Sequence, residues 1–309
     1  MEFLPDEIEN NIKDYLIFKP KSKEELQEAV NLWCIDKEDA LTKYLHISSW
    51  NTSLITDMTT LFFGKDNFND NISNWDVSSV TNMCGMFHCA SSFNQPLNSW
   101  NVSSVTDMSF MFCGASSFNQ PLDSWDMSSV TTISCMFERA FSFNQHLDSW
   151  NVSSVDSMIE TFYCASSFNQ PLNSWDVSSV DEMSGMFEEA SSFNQPLDSW
   201  DVSLVNDMSC MFNKASSFNQ PINSWNVSSV TNMEKMFGDA VSFNQPLHSW
   251  DVSSVTNMSW MFYSAEKFNQ PLNTWNIDSL TNNLYMFYRA EKFCPAYGVF
   301  QWEDDSSSD

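Results

Sequence analysis

The sequence predicts an α/β solenoid of ten 25-residue strand-plus-helix repeats behind an N-terminal helical cap, and three observations predict it. Trp stands at 50, 75, 100, 125, 150, 175, 200, 225, 250 and 275, a period of 25 residues over ten copies without an insertion or deletion. The words around it return with it, as FNQPLNSW at 93 to 100 and FNQPLDSW at 193 to 200. Among the 309 residues, 42% are hydrophobic and 15% aromatic, which supplies a core and shows no bias toward disorder. A strict period of this length means units that bury their apolar faces only against their neighbours.

Residues 1 to 45 read as the helical cap, within which KEELQEAVNLWCIDKEDALTKY (23 to 44) forms two short helices. Residues 46 to 295 are the repeats. In the copy that begins at Leu97, Trp100 and Val102 alternate with Ser99, Asn101 and Ser103, the period of a short strand with one buried face. Val105, Met108, Met111, Phe112 and Ala115 follow at helical spacing. Ser104 with Asp107 reads as a capping box that starts this helix; Ser179 with Glu182 repeats it, and Leu204 loses it. Pro121 ends the unit and resets the chain, while Asn119 is placed to bond turn backbone and to form an amide ladder between copies. Residues 296 to 302 read as a C-terminal cap, and residues 303 to 309 as an acidic, disordered serine tail.

The charge balance excludes some partners. Thirteen Lys plus Arg against 40 Asp plus Glu give a net charge of -27, which argues against nucleic acid and against an anionic membrane. The opening MEFLPDEIENNIKDYL has acids ahead of any apolar run, so neither a signal peptide nor a membrane span is expected, and the expected location is cytoplasmic. Eight cysteines at irregular spacing read as reduced thiols.

No enzyme is expected, because His46, His88, His146 and His248 are scattered over different repeat positions and no catalytic set has a place to assemble. Cys84, His88, Cys89 and Cys113 come nearest to a metal cluster but match no zinc spacing, so neither metal nor cofactor is expected. The column of Asn51, Asp76, Asn101, Asp126 and their successors reads as a hydrogen-bonded polar ladder, with Ca²⁺ as the alternative.

A protein partner is expected at the variable positions. Trp260 and Tyr263 recur one unit later as Tyr285 and Tyr288, so four large aromatics should cluster on one flank of the last two helices as interface anchors.

Written as a pattern, the unit is L-x-x-W-x-V-x-x-V-x-x-M-x-x-M-F-x-x-A-x-x-F-N-Q-P. Its first half, carried by Leu97, Trp100, Val102 and Val105, resembles the leucine-rich-repeat core L-x-x-L-x-L-x-x-N, with Val105 in the place of the ladder Asn. The whole word resembles the repeat of the BspA-like leucine-rich-repeat surface proteins over about four-fifths of the chain. That resemblance implies a strand-plus-helix solenoid and, for secreted members, adhesion to host or matrix proteins. A shorter resemblance lies at Leu4, Pro5, Ile8, Ile12, Tyr15 and Leu16, which is similar to the opening helix of an F-box. It implies a substrate receptor that docks onto a ubiquitin-ligase adaptor through those six residues.

Overall fold

The computed structural model describes residues 17–294. The six residues similar to an F-box helix, the 296 to 302 segment and the tail lie outside them.

Two helices open the described chain. Helix α1 (Lys23–Ile35) starts where the Ser22 hydroxyl accepts the Glu25 N–H at 3.3 Å, with Glu24 and Glu25 favourably placed in its first turn. It buries Leu26, Ala29, Val30 and Trp33 on one side. Asp36 then accepts the Asp39 N–H and begins helix α2 (Lys37–Tyr44), which stops at Leu45, a residue in the left-handed region with φ 63°. Both cover the first copy. Phe18, Trp33 and Tyr44 pack around Trp50, and Gln27 donates its amide to the Leu61 carbonyl at 2.9 Å. In later copies the equivalent carbonyl accepts an N–H from the preceding copy, as Met86 does from Phe62. Gln27 therefore supplies a donor that a neighbour would otherwise provide, and the helices blunt an open backbone edge.

The copies themselves are not strand-plus-helix units. From Trp50 to Cys294 the backbone contains no helix and no strand ladder, only turns and nine isolated parallel bridges running from Asp57↔Asn82 to Asn257↔Asn282. The expected helix at Val105 to Ala115 is replaced by a two-way division of backbone donors. The N–H groups of Met58, Thr60, Phe62 and Gly64 reach forward to the carbonyls of Asn82, Cys84, Met86 and His88 in the next copy. Those between them, on Leu61, Phe63 and Lys65, fold back onto Met58, Thr60 and Phe62. Left-handed residues recur in two columns along these turns, Thr60 to Tyr285 and Gly64 to Arg289.

The physical reason is the closeness of the stack. Adjacent Trp rings lie 6.1 to 6.5 Å apart, and Phe87 lies 5.6 Å from Phe112. Helices pack at about 8–10 Å between axes, so successive helices would not fit at this spacing. Tight turns do. Leu97-x-x-Trp100, Val102-x-x-Val105, Met108-x-x-Met111, Phe112-x-x-Ala115 and Ala115-x-x-Phe118 are each closed by an N–H to the carbonyl three residues before. Both ends of each turn are apolar and buried, and the residues between them lie further out apart from Ser109 and Cys113, which are also buried, so a spacing of three arises without a helix.

The core is a set of columns. Trp100, Val102, Val105, Met108, Met111, Phe112, Ala115, Phe118 and Leu122 are all buried, and so are their counterparts through the middle copies. Each Trp indole N–H crosses back to a carbonyl of the preceding turn, as Trp125 Nε1 does to Leu97 O at 3.0 Å and Trp175 Nε1 to Leu147 O at 2.9 Å. Asn119 takes part in the amide ladder: its Oδ1 accepts the Asn144 N–H and the Gln145 amide, both at 2.9 Å, and the pattern runs from Asn69 to Asn269, where Cys294 N–H ends it.

The supposed capping box does other work. Ser104 donates its hydroxyl to Ser78 O in the preceding copy at 3.0 Å, and Ser129, Ser154, Ser179 and Ser229 do likewise. Asp107 accepts the Ser109 N–H two residues on, an Asx turn. Leu204 lacks the hydroxyl and leaves a large apolar side chain 55% exposed. Leu204→Ser is expected to raise stability by about 0.5–1 kcal/mol, read as a higher urea midpoint; a lower midpoint would show that Leu204 contributes packing instead.

Candidate functional site

The structure brings the four predicted aromatics together. Trp260 and Tyr285 occupy the left-handed column, at φ 62° and 53°, and Tyr263 and Tyr288 follow three residues later. Ring centroids are 5.0 Å apart for Trp260 and Tyr263, 4.8 Å for Trp260 and Tyr285, 5.8 Å for Tyr263 and Tyr288, and 5.6 Å for Tyr285 and Tyr288. Trp260 and Tyr263 are half-buried, while Tyr285 and Tyr288 are 38% and 48% exposed beside the exposed Leu284. Lys235 Nζ stands 6.0 Å from the Trp260 ring centroid and Arg289 stands 5.5 Å from that of Tyr288. The result is an apolar surface edged by cations on a strongly acidic chain.

Earlier copies carry thiols and carboxylates in the same columns and in the adjoining column that ends at Arg289. Cys113 Sγ donates to Glu138 Oε2 at 3.3 Å, Cys135 Sγ to Glu160 Oε2 at 3.8 Å, and Cys164 Sγ to Glu189 Oε2 at 3.2 Å. Burial first, and then the neighbouring carboxylates, push the Cys135 thiol up to about 12 and the Cys164 thiol up to about 11. Burial also raises Glu188, whereas Lys214 at 2.6 Å, followed by the Cys164 thiol, holds Glu189 low. Sequence reasoning pointed to Cys84, His88, Cys89 and Cys113 as the nearest metal cluster; the converging set among the described residues is Cys135, Glu138 and Glu160. Its signal lay across copies, since Glu160 holds the place of Cys135 one period later.

The Asn/Asp column after each Trp is turned onto its own copy. Asp76 Oδ1 accepts the Ser78 N–H at 3.1 Å and the Ser78 hydroxyl at 2.6 Å, and Asn101 and Asp176 make the same pair of bonds. The Ser hydroxyl first, and then its N–H, hold Asp76, Asp126, Asp176 and Asp251 below the usual carboxylate range. The histidines remain apart, with His46 against Ser48, His88 against Phe63 and Phe110, and His146 near Asp148.

Recurring turns, stacked rings and bonds at intervals of 25 and 26 residues define a repeat protein. Three overlapping segments, residues 37–143, 120–208 and 195–300, match the family described as Mycoplasma protein of unknown function, DUF285, and together they span most of the chain. The chain belongs to that family. No curated protein matches it. Among the described residues, no helix is long and apolar enough to cross a membrane.

Proposed function

We propose that the chain is a solenoid of BspA-like repeats that works without catalysis as a protein-binding scaffold, holding its partner on the flank of Trp260, Tyr263, Tyr285 and Tyr288. The observation that carries this reading is the four-ring cluster, which is partly exposed, edged by Lys235 and Arg289, and additional to the buried ring columns. Rigid aromatics flanked by an Arg are the usual anchors of protein interfaces. The repeated polar faces offer little variety by comparison. All eight cysteines are free thiols, which suits the cytoplasm.

A second reading keeps the similarity of Leu4, Pro5, Ile8, Ile12, Tyr15 and Leu16 to an F-box helix, with a ubiquitin-ligase adaptor bound at that end and a target held by the repeats. A third, adhesion to host or matrix proteins, follows from the BspA-like word alone.

Affinity capture followed by mass spectrometry tests them together. Anchors of this kind are each worth about 2 kcal/mol or more, so Trp260→Ala/Tyr288→Ala is expected to weaken retention of the true partner more than about thirtyfold. A version lacking residues 1 to 20 is expected to keep that partner, and loss of an adaptor in this version alone would establish the second reading. An unchanged set of retained proteins in the double variant would remove the aromatic flank from consideration. Retention of matrix proteins by the intact chain would favour the third reading.

A further inference from the structure

Five copies before the aromatic flank, the same column carries a chemistry that partner binding does not use. Cys135 is only 6% exposed, and its Sγ lies with one carboxylate oxygen of Glu138 and one of Glu160 in a set whose members are all within 4.8 Å of one another. Among the described residues this is the one such trio.

The repeat architecture builds it. Cys135 and Glu138 are the ends of one tight turn, with the Glu138 N–H on the Cys135 carbonyl at 3.2 Å. Glu160 comes from the next copy, where it occupies the place of Cys135, and both are left-handed, at φ 56° and 50°. One copy further the column holds Gly185, and a Cβ there would stand 2.9 Å from Glu160 Cγ. The glycine leaves the Glu160 side chain its room. From the other side, Cys113 donates to Glu138 Oε2, and Arg139 Nε lies 3.8 Å from Glu138 Oε1.

We propose that Cys135, Glu138 and Glu160 bind one Zn²⁺, as a thiolate and two carboxylates with water in the fourth place, the metal displacing the Cys135 thiol proton to solvent. Zinc accepts both sulfur and carboxylate oxygen, and a tetrahedral site with Zn–S near 2.3 Å and Zn–O near 2.1 Å separates the two atom types by about 3.6 Å. Cys135 Sγ and Glu160 Oε2 stand at 3.8 Å, so this edge is close to that shape, and a carboxylate oxygen of Glu138 within 4.8 Å of the other two ligand atoms supplies the third corner. The sulfur ligand selects against Ca²⁺ and Mg²⁺, which take oxygen shells. Three anionic ligands more than balance the ion, and the surrounding charge of -27 adds to the attraction.

The test uses the intact chain, reduced and stripped with a chelator, and titrated with Zn²⁺ by calorimetry and with Co²⁺ by absorbance. One Zn²⁺ per chain is expected, together with a thiolate-to-cobalt charge-transfer band. Cys135→Ser should abolish that band, and Glu160→Gln should weaken Zn²⁺ binding at least about tenfold, while Cys210→Ser leaves both unchanged. Glu160 is half-buried, so its variant, with folding checked by circular dichroism, carries the test if Cys135→Ser does not fold. Absence of stoichiometric binding, or binding that is the same in wild type and Glu160→Gln, overturns the proposal. Neither result bears on the aromatic flank.

Discussion

Phe187→Ala is expected to cost about 3–5 kcal/mol of folding stability, read as a fall in the urea midpoint. Phe187 is fully buried in the middle of the stack and touches rings in three directions: Phe193 of its own copy at 4.1 Å, Phe162 before it at 5.6 Å and Phe212 after it at 5.7 Å. Deleting the ring therefore opens a cavity against two interfaces at once. The surrounding bonds, from Phe187 N–H to Met211 O and from Phe162 N–H to Met186 O, hold the backbone in place and limit collapse into the void. In a linear array each unit is supported only by its neighbours, so the loss should also appear as faster amide exchange on both sides of the altered copy. Phe110→Ala is the control. Phe110 is 38% exposed on the outer column, and its removal is expected to stay within about 0.5 kcal/mol. Equal effects from the two variants would contradict the assignment of the inner ring columns as the core.

Trp175→Phe is expected to cost about 2–3 kcal/mol although a buried aromatic is retained. Two losses combine. The indole is stacked 6.2 Å from Trp150, and its smaller replacement leaves part of that contact empty. Its Nε1–H also donates to Leu147 O at 2.9 Å, a carbonyl that already accepts the Trp150 N–H, so one of two buried bonds at that oxygen disappears. Denaturant unfolding of the variant measures the sum. A cost below about 0.5 kcal/mol would mean that the indole N–H has no part in joining the copies. The same bond recurs from Trp75 to Trp275, which gives a chemical reason for Trp rather than Phe or Leu at this place in every copy.

The apolar positions were legible in the sequence, and the path of the backbone was not. Trp100, Val102, Val105, Met108, Met111, Phe112, Ala115 and Phe118 are buried as their recurrence implies. Yet Met108, Met111, Phe112 and Ala115 have the spacing of a helix face and also that of linked three-residue turns, and periodicity alone does not separate the two. What separates them is how near the next copy lies, a property of the stack and not of any one unit. The Lys23 to Tyr44 stretch does form two helices, because its caps, Ser22 and Asp36, act within a few residues. For the same reason Ser104 misled: its partner, Ser78 O, is one copy away. The aromatic flank was visible because Trp260 and Tyr285, and Tyr263 and Tyr288, are each separated by one period. Cys135, Glu138 and Glu160 have no signature within a single copy, since the trio mixes two columns and two copies.

The forward bonds from each copy to the next have a consequence for the gene. Met58 bonds to Asn82 as Met83 does to Asp107 and Met108 to Thr132, and the contact depends on the register, not on which copy supplies it. Removing or inserting a block of 25 codons in frame would therefore rejoin compatible edges. Unequal recombination between such similar words changes the length of the molecule in whole steps and leaves every junction intact. A lineage carrying this repeat can move the aromatic flank nearer to or farther from the N-terminal helices without inventing a new contact.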